Sequence, residues 1–177
     1  MEKFAGLLKK HGIEVLVDTR SQPYSRRAPH FNAGEIEANL SGEGIEYVSL
    51  GGGLGGRPRG GEFYDAQGRV DYALVAGSAP FLRGLSWLER GIRERRIALL
   101  CSEENPSGCH RRLLVGRVLA ERGVVVRHIR GDGDVQTEDE LLLVGGQPAL
   151  FQDAEVTVWK SIRSVLRRRR HPNSSGH

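Results

Sequence analysis

Lysine is nearly missing from this chain. The 26 basic residues include only Lys3, Lys9, Lys10 and Lys160 as lysines, so arginine carries almost all of the positive charge. That favours planar, bidentate contacts to phosphate or carboxylate over diffuse attraction. Aromatic residues are also scarce, at 6% of 177 positions, which leaves little with which to stack single-stranded bases. No stretch approaches the roughly 20 apolar residues of a membrane span. The opening MEKFAGLLKKHG has the pattern of a short amphipathic helix, not of a charged segment followed by an apolar run. A cytoplasmic protein with no membrane contact is the expectation. Cysteine occurs only twice, as Cys101 and Cys109. In a reducing compartment this argues against a stabilising disulfide and leaves reactive, ligating or plainly structural thiols as the readings.

What is present organises the rest. The formal net charge is +4, but four arginines sit together at Arg167–Arg170, so the body is near neutral and a nucleic-acid reading cannot rest on charge alone. The length fits one domain with a real core. Apolar runs bounded by breakers mark strands at Ile13–Asp18, Ile45–Leu50, Arg96–Cys101 and Val124–Ile129. Helical patterns lie between them, at Phe31–Gly44, Asp71–Arg96 and Cys109–Gly123, the last ended by Gly123 as a C′ residue. Continuous apolar strands alternating with helices predict a three-layer α/β/α fold around a mainly parallel sheet. Thr137–Gly146 reads as a capped short helix, and the Leu and Phe of the following PALFQDAE as packing back on the core. The expected organisation is a single domain over 1–154, with an amphipathic helix over Val156–Arg170 and a disordered basic tail within 155–177.

In such a fold the loops after the strands form the functional rim, and three of them hold unusual residues. The first, DTRSQPYSRRAPHFN, carries Asp18, Arg20, Ser25, Arg26, Arg27, His30 and Asn32, with two stiffening prolines. Asp18 can orient Arg20 toward an anion, or the pair can simply hold the loop in shape. The second, LGGGLGGRPRGGEFYD (Leu50–Asp65), has seven glycines, including Gly55 and Gly56 ahead of Arg57. Its backbone N–H groups could approach an anion, although it is neither a Walker A sequence nor a dinucleotide fingerprint, since GGGLGG is not followed by a helix pattern. Plain flexibility is the competing reading. The third, LLCSEENPSGCHRRLL, places Cys101 at a strand end and Cys109, His110 and Arg111 at a helix start. A helix N-terminus and nearby cations favour a thiolate or a bound anion, and Glu103 could serve as a base or pair with Arg111. A buried cysteine acting as a small hydrophobe is the bland alternative. A metal is not expected: the spacing is not that of zinc pairs, and His30 or His128 would have to complete the ligand set. No cofactor is expected either.

These three loops, in this order, resemble the DUF488 family, a group of bacterial and archaeal proteins without an established function. The likeness rests on VDTRSQPYSRRAPHFN, on Leu54 with Gly55–Pro58, and on Cys101, Glu103, Cys109, His110 and Arg111, which fall on the family's C-x-E-x5-C-H-R pattern. It runs from about Glu2 to Phe151. Members typically open with a short strand ending Thr-Ile-Gly-His-Ser, and here Met1 falls after that point. The resemblance therefore implies either a missing first strand, which would leave a sheet edge unpaired, or a start placed too late. A looser likeness to rhodanese-type domains lies in VDTR, LLC and VRHIRG, as analogy in loop placement, although the loop from Cys101 to Arg111 is longer than their tight cradle.

Three functions are then ranked. The first is a small hydrolase or transferase acting on an anionic, phosphate-bearing substrate. Cys101 or Cys109 would be its nucleophile and the other a resolving or structural thiol, with Glu103 or His110 moving the proton, Arg111 adding charge, and Asp18, Arg20, Ser25, Arg26, Asn32, Gly55, Gly56 and Arg57 binding the substrate. The second is a non-catalytic nucleic-acid or nucleotide binding module, in which the thiols would be inert. The third is a scaffold.

Overall fold

The computed structural model describes residues 1–145 and 159–162. Its central strand is β1 (Val15–Asp18), all four residues of which are buried. β1 is flanked by β2 (Glu46–Ser49) on one side and β3 (Ile97–Leu100) on the other, both parallel to it. Val15 aligns with Glu46 and Ile97, and Asp18 with Ser49 and Leu100. The three strands therefore end abreast, and the loops that follow them meet at one rim.

The period-2 alternation of β1 splits the core into two layers. Leu16 faces α1 (Glu2–Lys10) and α2 (Ala33–Ser41), where Ala5, Leu8, Ile36 and Leu40 are buried. Val15 and Val17 face the larger cluster, built from Leu54, Val70, Tyr72, Val75, Phe81, Leu85, Leu88, Leu113, Leu114, Val115, Val118 and Leu119. This is the expected three-layer α/β/α arrangement. Full burial of an apolar side chain of this size is worth about 1.5–3 kcal/mol, so the two layers hold the sheet in register from both faces.

Local chemistry sets the breaks. The glycine-rich stretch expected as a loop starts with one helical turn, α3 (Gly51–Leu54). It exists because glycine permits a close backbone approach: a Cβ on Gly51 would collide with the carbonyl of Arg20. The helical pattern over Asp71–Arg96 is two helices, α4 (Tyr72–Ala76) and α5 (Ala79–Gly91). Asp71 caps the first, and Ser78 caps the second with Pro80 in its opening turn, so the chain re-nucleates at Gly77–Ser78. The helix after Cys109 opens as a π-helical turn, Arg111–Gly116, before α6 (Arg117–Glu121). Gly123, at φ +82°, then turns the chain as expected, with Val124 N–H donating to Leu119.

Two expectations are corrected. Val124–Ile129 does not add a parallel strand. Its strand β4 (Arg127–Ile129) pairs antiparallel with β5 (Val135–Thr137) in a separate two-stranded sheet. The turn between them, closed by Arg130 N–H to Asp134 and by Gly133 at φ +97°, makes a hairpin cheaper than a return to the main sheet. The part of the rhodanese likeness carried by VRHIRG goes with it. The helix expected over Val156–Arg170 is not formed at Trp159–Ile162, where the backbone bonds to the domain instead. Tyr72 N–H donates to Trp159 and Ser161 N–H to Val70, and the Trp159 indole donates to the Leu113 carbonyl. The remainder of that helix, the PALFQDAE segment and Arg167–Arg170 lie outside the described residues.

α7 (Glu138–Gly145) starts at a reciprocal cap: the Thr137 hydroxyl accepts from Glu140 N–H while the Glu140 carboxylate accepts from Thr137 N–H. Its Glu138 binds buried Arg112 at 2.7 Å and buried His128 at 2.6 Å, tying the hairpin to the π turn. Among the described residues the outer edge of β3 pairs with no strand, and a groove of about 1230 Å³ runs between it and residues 124–130. No helix among the described residues is long and apolar enough to cross a membrane.

Candidate active site

The first loop is tied down by its own polar residues. Asp18 is fully buried and accepts from Arg20 at both carboxylate oxygens and from the Tyr47 hydroxyl at 2.7 Å. The third guanidinium nitrogen of Arg20, Nη1, donates to the Phe31 carbonyl at 2.8 Å. Burial and the Asp18 carboxylate together push the Tyr47 phenol well above its ordinary range. Ser25 and Asn32 brace the same loop: the Asn32 side chain accepts from Ser25 N–H, and the Ser25 hydroxyl accepts from Arg27 and Ala28 N–H. The second loop is fastened to the first where the Ser21 hydroxyl accepts Arg57 N–H at 2.9 Å.

The third loop carries the chemistry. Cys101 follows β3 directly, half-buried, and Cys109 lies fully buried beside it with Sγ–Sγ 2.8 Å apart. Both are free thiols. His110 Nδ1 is 3.6 Å from Cys101 Sγ, and His110 Nε2 is 3.1 Å from the Thr19 carbonyl. A carbonyl can only accept, so Nε2 carries the hydrogen and Nδ1 faces the thiol. Gly56 sets the ring: a Cβ there would lie 2.7 Å from His110 Cγ, so only glycine lets the second loop pass so close. The loop between the cysteines is rigid in its own right. Asn105 caps Ser107, Pro106 is buried, and Glu104 binds Arg130 through two bonds and accepts from Gly131 N–H.

The electrostatics of the two thiols diverge. The hydrogen bond from Cys109 is the largest cause pushing the Cys101 thiol down to about 4. His110 and the backbone N–H of Glu103 add to it against the cost of burial. Cys109 moves the opposite way: donating to Cys101, buried, and facing its charge, it is held protonated. The arrangement therefore favours the charged form at Cys101 and the neutral thiol at Cys109.

Cys101 and His110 open on a cleft of about 820 Å³ lined also by Arg20, Tyr24, Arg57 and Tyr72. Of the residues singled out from the sequence, Cys101, Glu103, His110, Arg20, Gly56 and Arg57 meet in this cleft, with Cys109 beneath Cys101. Glu103 is exposed, and the side chains of Glu103 and Arg57 make no hydrogen bond or ion pair with other described residues. Others are placed elsewhere. Arg111 gives its N–H to Cys109 Sγ and its guanidinium to the Glu104 carbonyl, beside the groove along β3. Gly55 is buried against Ser21, Asp18 lies under Arg20, Ser25 lines the other groove, and Arg26 is exposed away from the cleft wall. Three residues went unnoticed in the sequence: Thr19, which fixes His110; Ser161; and Tyr72, a cleft-lining phenol pushed above its ordinary range by burial and by both thiols and Glu103. An aromatic after a helix-capping Asp gives no signal of that role.

Cys101 Sγ, Cys109 Sγ and a His110 ring nitrogen lie within 4.8 Å of one another, the one such cluster among the described residues. Two thiolates on one tetrahedral zinc, each about 2.3 Å from the metal, sit ~3.8 Å apart. At 2.8 Å the two sulfurs are about 1 Å closer than that spacing, so a zinc on these three donors would require them to move apart; as they stand, Cys109 donates to Cys101.

The whole Cys-to-Arg motif lies within the part of the chain that a family comparison covers. The model of a family described as a domain of unknown function, DUF488, matches residues 1–118. The chain belongs to the DUF488 family. The match takes in all three rim loops and ends inside α6, ahead of the β4–β5 hairpin. No curated protein and no solved structure matches the chain.

Proposed function

We propose that this DUF488 protein is a cysteine-dependent hydrolase or transferase in which Cys101 attacks an anionic, phosphate-bearing substrate. The observation that carries the reading is the placing of Cys101 Sγ at the cleft, contacted by Cys109 Sγ and faced by His110 Nδ1, which favours its charged form. A thiolate already formed at neutral pH needs no base for the attack itself. His110 then serves the later steps, giving a proton to the leaving group from Nδ1 and taking one from the incoming water or acceptor, while Thr19 keeps the ring in place. Arg57, whose guanidinium is unpaired among the described residues, meets the substrate's charge; Arg20 is spent on Asp18 and Phe31 and shapes the wall. Tyr72 supplies a neutral hydroxyl to the same cleft.

The test pairs an aryl phosphate turnover assay with protection of Cys101 from iodoacetamide by the same ester. Turnover that vanishes in Cys101→Ser, and protection that weakens in Arg57→Ala, are expected. Binding of phosphate esters or oligonucleotides that is unchanged in Cys101→Ser, without turnover in the wild type, would replace the enzyme by a binding module.

A further inference from the structure

Nucleophilic catalysis requires one thiol, and the structure holds two, at 2.8 Å, in a chain that has no others. The second is not placed for substrate: Cys109 is fully buried, and the cleft wall contains Cys101 and His110 but not Cys109. Its Sγ is aimed at one partner, Cys101 Sγ, and is itself contacted by Arg111 N–H at 3.4 Å. An S–S bond is about 2.05 Å long, so the two sulfurs are ~0.8 Å beyond bonding distance. A half-exposed thiolate backed by a buried thiol is the arrangement of an attacking and a resolving cysteine.

We propose that Cys101 is a site of reversible oxidation by hydroperoxides, and that Cys109 resolves it as a Cys101–Cys109 disulfide. The Cys101 thiolate attacks one oxygen of the peroxide; the O–O bond breaks, an S–O bond forms, and the alkoxide or hydroxide leaves and takes up a proton. Cys109 sulfur then attacks the sulfenic sulfur of Cys101. The S–S bond forms, the S–O bond breaks, and the hydroxyl leaves as water with the Cys109 proton. Two thiols have lost two electrons and the peroxide has gained them. An external dithiol reverses the reaction.

The surroundings of Cys109 make the second step follow from the first. Cys109 is held protonated chiefly by its hydrogen bond to the Cys101 thiolate. A neutral sulfenic acid no longer carries that charge, while Arg111 N–H remains in place to receive a thiolate at Cys109. Oxidation at the cleft thus frees the buried thiol to react. The resulting disulfide removes the nucleophile and spares it from irreversible over-oxidation.

The proposal deepens the reading of Cys101 as the thiolate nucleophile and rests on it. The full chain, reduced and freed of reductant, is treated with hydrogen peroxide and its intact mass followed. A parallel sample receives iodoacetamide at about pH 6, well below the ordinary thiol value of about 8.5. We expect the peroxide-treated protein to lose two hydrogens, to regain them with dithiothreitol, and to resist iodoacetamide while oxidised. Cleavage after Arg96 and Arg111 leaves both thiols in one peptide, and further cleavage after Glu103 or Glu104 separates them unless a disulfide joins the pieces. Cys109→Ser is expected to gain oxygen at Cys101 instead, first one atom and then two. Oxygen addition without hydrogen loss in the wild type, alongside normal alkylation at about pH 6, overturns the resolving role and leaves the nucleophile standing. Thiols that resist both reagents, or a stoichiometric metal released from them, overturn both.

Discussion

Replacing Cys109 by alanine should loosen the Cys101 thiolate by a predictable amount. The bond being removed is a donor to a charged acceptor at 2.8 Å, and such bonds are worth about 1.5–3 kcal/mol. One pKa unit corresponds to about 1.4 kcal/mol, so the loss raises the Cys101 midpoint by about one to two units. Starting from about 4, Cys109→Ala should titrate at about 5 to 6, still below an ordinary thiol because His110 and the Glu103 N–H remain. Cys109→Ser keeps a donor at the same place and should restore most of the depression. The readout is the ultraviolet absorbance of the thiolate against pH, with the Cys101→Ser spectrum subtracted. Removing the buried sulfur also costs stability, on the order of 1 kcal/mol, so each variant's fold is checked by its thermal midpoint. A Cys101 midpoint that does not move in Cys109→Ala, or that is no closer to wild type in Cys109→Ser, would refute the hydrogen-bond account.

Three further outcomes follow from the geometry. Gly56→Ala puts a methyl 2.7 Å from His110 Cγ, so the ring must move; the Cys101 midpoint should rise by about one unit and turnover should fall, with thermal unfolding little changed. Asp18→Asn strands the buried Arg20 charge and should cost about 3–5 kcal/mol in urea denaturation; a loss below 1 kcal/mol would contradict a buried pair. Glu138→Gln leaves buried Arg112 without its carboxylate and should cost about 3 kcal/mol at neutral pH. Burial works against the Glu138 charge, but bonds from His128 and Arg112 outweigh it and hold its pKa below the ordinary value. Its contribution is therefore complete above about pH 4.3 and is lost as the pH falls through the depressed folded value, so the wild type should show an acid loss of stability there that the variant lacks.

Much of this was legible in the chain because it depends on local pattern. β1, β2 and β3 are continuous apolar runs, and in a parallel sheet their ends must share a rim, which puts Asp18, Leu50 and Cys101 together from sequence alone. Gly123 read correctly as a helix end because its role needs only φ > 0. What escaped depends on partners far away in sequence. The fourth apolar run looked like another core strand, and only the Asp-Gly at 132–133 hinted that it turns back into a hairpin with β5. The glycines of the second loop read as flexibility or an anion cradle. Gly51 and Gly56 are also required by the close approach of the Arg20 carbonyl and the His110 ring, which no spacing rule reveals. Arg20 and Asp18, ambiguous in sequence, spend their polar atoms on each other, Tyr47 and Phe31. The contrast between the two thiols is the least legible feature, since it arises from a 2.8 Å contact and a backbone carbonyl on Thr19.

The central claim is that Cys101 is a thiolate at neutral pH while its neighbour is not. Competitive alkylation of the native wild-type chain at about pH 6, with each cysteine quantified in the digest, tests it in one sample. The account predicts Cys101 almost fully labelled and Cys109 unlabelled, at a rate already on its plateau. Equal labelling of the two, or a Cys101 rate that climbs through about pH 8.5 as an unperturbed thiol would, would contradict it.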